Sequence, residues 1–109
     1  MNKEIGVNKQ QECSIAIQVL PGVPGDEIIR VVDQVIAHIR STGLNYFVGP
    51  FETTVEGDFD RLMDLIRECQ EICIQEGAPS VMSYVKIAYQ PGQGVWSIEK
   101  KVSKHHAQT

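Results

Sequence analysis

Long apolar runs are missing from this sequence, and none approaches the ~20 consecutive residues that a membrane-spanning helix needs. No membrane role is therefore expected. The polar opening MNKEIGVNKQQE carries no stretch of signal-peptide length, so export is not indicated either. Cysteine is scarce and odd in number. Cys13, Cys69 and Cys73 lie inside apolar periodic segments, which reads as reduced, buried thiols of a cytoplasmic protein and not as a disulfide framework. Basic residues are few, 10 Lys and Arg against 14 Asp and Glu. A net charge of -4 argues against a nucleic-acid partner, since phosphate binding rests on clustered Lys and Arg. The one basic cluster, Lys100-Lys101 with Lys104-His105-His106, lies at the C-terminal end and reads as solvated, with 105–109 as a tail.

What remains is ordinary globular material: 109 residues, 42% hydrophobic and 22% charged, enough for one core. Residues 1–11 are polar and aperiodic and read as a loosely held arm, leaving 12–104 for the domain. Glu12–Leu20 alternates, with Cys13, Ile15, Ile17 and Val19 on one face and Ser14, Ala16, Gln18 and Leu20 on the other, the pattern of a half-buried strand. Pro21-Gly22-Val23-Pro24-Gly25 breaks it. Asp26 is the expected cap or first-turn acid of a first helix, whose apolar stripe is Ile28, Val32, Val35, Ile36 and Ile39, and which Gly43 stops.

A strand over Leu44–Gly49, a corner at Gly49-Pro50 and a returning strand over Phe51–Gly57 follow. Asp58 is placed to cap a second helix running from Phe59 to Glu76, with Phe59, Leu62, Met63, Leu65, Ile66, Cys69, Ile72 and Cys73 as its stripe and Gly77 as its end. Ser80–Gln90 alternates as a fourth strand, and Ser97–Lys104 reads as a short terminal helix that Ser97 caps. The order β-α-β-β-α-β predicts an α+β, ferredoxin-like split βαβ fold, in which a four-stranded antiparallel sheet has two helices on one face.

The sheet's other face then carries Ser14, Ala16 and Gln18, with Glu52, Thr54 and Glu56, and with Met82, Tyr84, Lys86 and Ala88. That mixture is too polar for a core and too aromatic for a plain solvated surface. One reading is a face that packs subunits, making the chain an oligomeric regulatory or assembly module. The other is a partly dry cleft in which Glu56 and Lys86 bind a small polar ligand, because a buried carboxylate needs a charge or donor partner. Other motifs carry less. Cys69-x-x-x-Cys73 puts two thiols on one helical face, but on the core stripe. His38 falls on the polar side of its helix and needs no special role, and Gly92-x-Gly94 opens no phosphate-binding helix. No nucleophile–base set and no metal site is indicated, so the chain is expected not to be an enzyme.

Three segments resemble the small bacterial and archaeal thiamine-binding protein family: Gly43-Leu44-Asn45-Tyr46, Thr53-Thr54-Val55-Glu56-Gly57, and Gly77-Ala78-Pro79-Ser80-Val81 through Lys86. The likeness covers roughly residues 12–90, and its most specific part is T-x-x-E-G; Phe51-Glu52 departs from the family's usual small residue. The resemblance implies the same fold, dimers or tetramers, no cofactor, and binding of thiamine or its hydroxymethylpyrimidine part without turnover. On that picture Glu56 meets the aminopyrimidine edge or the positive charge, Thr53 or Thr54 supplies a hydroxyl, and Tyr46 or Tyr84 forms a wall. Lys86 holds Glu56 or a polar group of the ligand, with Ser14 on the same face. Period two puts Thr54 with Glu56, whereas the family motif emphasises Thr53.

Overall fold

Strand β1 (Cys13–Pro21) is the spine of the sheet, paired antiparallel with β4 (Val81–Tyr89) on one side and with β3 (Thr53–Gly57) on the other. Strand β2 (Asn45–Val48) closes the far edge, giving the order β2-β3-β1-β4. Helices α1 (Gly25–Ser41) and α2 (Phe59–Gln75) cross over one face, and a third helix, α3 (Ile98–His106), follows the sheet. This is the expected ferredoxin-like α+β fold. The computed structural model describes residues 11–92 and 94–106. The arm expected over 1–11 lies outside them, apart from Gln11, whose carbonyl accepts a hydrogen bond from the Val95 N–H at 2.7 Å.

Alternation along β1 does what its sequence demands. Cys13, Ile15, Ile17 and Val19 enter the core with Val55 of β3 and the inner faces of both helices, Val31, Val35 and Ile39 from α1 and Leu62, Leu65, Cys69 and Cys73 from α2. At about 25 cal/mol per Å2 of apolar surface, this shared interior is the main force holding helices to sheet. All three cysteines are buried and free. Burial first, then its neighbours Cys73 and Glu68, pushes the Cys69 thiol up to about 12, so it packs as a small protonated hydrophobe.

Helix ends follow the expected capping chemistry. Helix α2 starts as predicted, Asp58 accepting from the Arg61 N–H at 3.2 Å, and Glu12 adds a second acceptor, for the Phe59 N–H, at 2.9 Å. Helix α1 uses Asp26 in the second of its two expected roles: Pro24 holds the cap position without a side-chain bond, and Asp26 and Glu27 sit in the first turn, where the dipole favours acids. Gly43 and Gly77 leave the two helices at φ +76° and +105°, the left-handed exit open to glycine. Strand β3 starts late. Phe51 and Glu52 are used up in the turn, where Gly49 donates to the Glu52 carbonyl at 2.9 Å.

The helices are clamped to each other at their surfaces. His38, expected to be idle, hydrogen-bonds Glu68 of α2 through Nε2 at 2.7 Å, and Arg61 reaches the same carboxylate at 3.2 Å. At the other end Arg30 donates to the Glu76 carboxylate at 2.9 Å and to its carbonyl at 3.0 Å, capping the end of α2 from α1. The His38 hydrogen bond, followed by the contribution of Arg61, holds the Glu68 carboxyl below its ordinary value. A carboxylate depressed by folding stabilises the native state above its unfolded pKa, about 4.3, and loses that contribution as pH falls through the folded value. Glu68→Gln is therefore expected to cost about 0.5–1 kcal/mol at neutral pH, a partly screened pair. Thermal melts should show the gap between wild type and variant narrowing as pH falls below about 4.3.

Candidate functional site

Period two divides the seven candidate residues between the faces of the sheet. Ser14, Thr54, Glu56, Tyr84 and Lys86 share the open face, where Ser14 stands opposite both Glu56 and Ala88, Ala16 opposite Thr54 and Lys86, and Gln18 opposite Tyr84. Thr53 and Tyr46 do not join them. Each pairs in register with a core residue, Thr53 with Ile17 and Tyr46 with Val55, so both side chains turn to the helix side. The Tyr46 hydroxyl accepts from Arg40 Nε at 3.0 Å, which ties β2 to α1 and removes it as a wall beside Glu56.

Glu56 is buried, as a carboxylate with a task must be, but its partner is not Lys86. Its Oε1 accepts from Asn45 Nδ2 at 2.6 Å and its Oε2 from the Ile98 N–H at 2.8 Å. Ile98 is the first residue of α3, so the carboxylate satisfies an orphan donor at that helix's positive end. Ser97 caps the same turn by accepting from the Lys100 N–H at 3.1 Å, and Lys101 reaches Ser14 at 3.4 Å. The open face beside β2 and β3 is thus covered by the chain's own terminal helix. Lys86 and Thr54 flank Ala16 in one cross-strand row, with Glu56 two residues after Thr54 and Glu52 two residues before it. Since α3 engages Glu56, Lys86 pairs instead with Glu52 at 3.4 Å, and 78% of its side chain stays exposed.

A cavity of about 220 Å3 lies on the other side, between α1 and the β2–β3 hairpin. Its walls are Ile28, Val32 and Ile36 of α1, the end of β1 from Ile17 to Leu20, and the hairpin from Val48 to Thr53. The apolar stripe of α1 is wider than the core requires. Val31, Val35 and Ile39 are buried, whereas Ile28, Val32 and Ile36 remain half-buried beside this space. Thr53 is the one candidate residue that lines it, and among the described residues its hydroxyl makes no side-chain hydrogen bond. Glu52 lines the rim, as does Phe51, whose ring is 78% exposed. Among the described residues no Lys, Arg or His lines the cavity. Gly49 keeps the rim tight, because a Cβ there would meet the Glu52 carbonyl oxygen at 2.9 Å.

The sequence reading missed this cavity by extending the returning strand to Phe51. The signal was present in the Gly49-Pro50 corner, which shortens β3 against a nine-residue β1.

Comparison with known proteins decides the family. A family model described as thiamine-binding protein matches residues 15–106. The chain belongs to the thiamine-binding protein family. A UPF0045 protein of Clostridium perfringens is 47% identical over 93 residues, covering 85% of this chain and 96% of the relative. The family fold recurs in a domain of unknown function from Bacillus cereus, at a TM-score of 0.79 and 36% identity, covering 88% of this chain and 90% of that one. It recurs again in a Thermotoga maritima protein assigned provisionally to thiamine biosynthesis or salvage, at 0.76 and 38%, covering 85% and 97%. In this family member the T-x-x-E-G strand is split in use: Thr53 faces the cavity, and Glu56 seats α3.

Glu56→Ala removes one acceptor from Asn45 and one from Ile98, at about 1.5–3 kcal/mol for hydrogen bonds to a charged group. Amide hydrogen exchange at Ile98–Lys101 should rise at least tenfold in that variant. Tyr84→Ala, on the same face, should leave those amides unchanged.

Proposed function

We propose that this protein binds thiamine, or its hydroxymethylpyrimidine part, without turnover, in the cavity beneath the β2–β3 hairpin. The observation that carries this reading is the cavity itself: apolar walls around a free threonine hydroxyl, in a member of a thiamine-binding family. The Thermotoga maritima neighbour supports a role in thiamine metabolism. A volume of about 220 Å3 is below the ~300 Å3 at which pockets for drug-sized ligands begin, and suits one six-membered heterocycle with its substituents. The pyrimidine then occupies the cavity, and the thiazolium cation stays at the rim with the Phe51 ring and Glu52. The polar residues of the lining, Gln18, Glu52 and Thr53, offer an amide, a carboxylate and a hydroxyl without a paired base among the described residues, which favours binding over chemistry. Three reduced, buried thiols support a cytoplasmic setting.

Titration calorimetry with thiamine and with hydroxymethylpyrimidine tests the reading, and no heat from either at millimolar ligand overturns it. Thr53→Val keeps the shape and removes the hydroxyl. It should weaken binding about 3- to 10-fold, the worth of one hydrogen bond, with little change in melting temperature. Lys86→Ala should leave affinity unchanged, and the opposite pattern would move the site to the open face.

The protein is also proposed to act as a homodimer or homotetramer. Strand β4 is paired on one side alone, and the groups of Ser83, Val85 and Ile87 on its outer edge have no strand partner among the described residues. Ile87 and Tyr89 are 50% and 48% exposed there, and Met82 and Tyr84 59% and 60% on the open face. Ile87→Pro deletes an outward N–H without touching the ladder to β1. Sedimentation should then show a smaller species than wild type.

A further inference from the structure

The β2–β3 hairpin is tied down at its base and loose at its tip. At the base Tyr46 accepts from Arg40 Nε at 3.0 Å, and Asn45 Nδ2 donates to Glu56 at 2.6 Å. Strand β3 keeps its ladder to β1 from Gly57 to Thr53 and ends it at the Thr53–Ile17 pair. The hairpin runs one rung further, to the Gly49 N–H that donates to the Glu52 carbonyl at 2.9 Å. That last part is a two-stranded ribbon with no third strand beside it, and such ribbons twist more freely than strands inside a sheet. Pro50 has a fixed φ and the Gly49–Glu52 bond closes the turn, so the tip bends as a unit. Among the described residues one side-chain bond holds the tip, from Lys86 to Glu52 at 3.4 Å, and an exposed pair of this kind resists bending weakly.

Both lips of the cavity carry large apolar side chains that stand in water. On the tip Phe51 is 78% exposed and Val48 45%. On α1 Ile29 is 71% exposed. It precedes Val32 and Ile36 by three and seven residues, so it continues their row outward from the cavity without lining it. Apolar groups facing one another across a mouth gain from being brought together, because each removes the other's surface from water.

We propose that the hairpin tip, Val48 to Glu52, is a lid that bends toward α1 and closes over a bound molecule. The last rung, Thr53 with Ile17, is its fulcrum, and the clamped base keeps the rest of the hairpin still. Closure sets the Phe51 ring against Ile29. The arrangement with both side chains in water is the open one, which admits the ligand. A flat molecule in the cavity gives the ring a second surface to pack on, and so binds the closed form better and shifts the balance toward it. This inference rests on the cavity reading and adds a gate to it. A lid of this kind slows exit more than entry, since entry meets the open form and exit waits for it.

Ile29 separates a lid from a fixed mouth, because it lies outside the cavity lining and matters to the ligand only if the lips meet. Line-shape analysis of 15N–1H spectra of the full chain, titrated with thiamine, gives the association and dissociation rates. Ile29→Ala should raise the dissociation rate about 3- to 10-fold, the worth of about 0.7–1.4 kcal/mol, with the association rate within twofold and the melting temperature unchanged. Phe51→Ala should raise dissociation at least tenfold. The double variant should be no faster than Phe51→Ala alone, since both substitutions remove one contact. Wild-type rates in Ile29→Ala, or additive losses in the double variant, overturn the lid and leave the cavity reading standing. A second measurement needs no ligand. Relaxation dispersion on the unliganded chain should show microsecond-to-millisecond exchange at the Gly49, Phe51 and Glu52 amides with one shared rate, and none at Ile15 and Ile17. Flat profiles at the tip overturn the lid. Exchange at the tip in a protein that does not bind thiamine supports the lid and overturns the thiamine reading.

Discussion

Strand β1 is paired with β4 along all nine of its residues, but with β3 along five, from Cys13 to Ile17. The geometry that follows depends on this shortfall. A strand cannot end its pairing inside a domain without leaving backbone groups to be satisfied and a space to be lined. The Gly49-Pro50 corner imposes the early end, since Gly49 bonds to Glu52 and the turn takes Phe51 out of the ladder. Helix α1 supplies the roof with the half-buried side of an over-wide apolar stripe. The cavity is therefore a consequence of strand lengths and helix patterning together, and neither element alone would make it.

The opposite face is governed by one buried carboxylate. Burying Glu56 without partners would cost several kcal/mol, and the structure meets that cost with a neutral amide and a helix N-terminus, not a cation. This choice settles Lys86 as well. A lysine whose row is flanked by two carboxylates goes to the one still open to water, and that is Glu52. An exposed pair of this kind contributes little to stability.

Much of this was legible in the residues. Period-two alternation in β1 and β4 named the correct core face of each, and Asp58, Gly43 and Gly77 marked helix ends by ordinary capping chemistry. Even the split between Thr53 and Thr54 followed from strand period. Three things were not legible, for physical reasons. The exact start of β3 depended on how many residues the Gly49-Pro50 corner consumed, and propensity does not count those. The partner of Glu56 came from residues 45 and 98, and nothing local links a strand carboxylate to a helix start 42 positions later. His38 looked idle because its polar surroundings on α1 say nothing of Glu68, which α2 brings to it across the helix pair.

The family motif Thr53-Thr54-Val55-Glu56-Gly57 gains a physical meaning from this division. In a strand the odd positions and the even positions are separate instructions. Val55 packs in the core and Thr53 stands at the cavity, while Thr54 and Glu56 address the face beneath α3. Gly57 lies where a Cβ would meet Leu44 at 3.2 Å, and Asp58 follows at once to start α2. A short segment thus borders the cavity, anchors the terminal helix and launches the helix that closes the core. Five residues can do this because the two faces of a strand share a backbone but not an environment. On the proposed reading, the threonine of the motif belongs to the ligand and the glutamate to the fold.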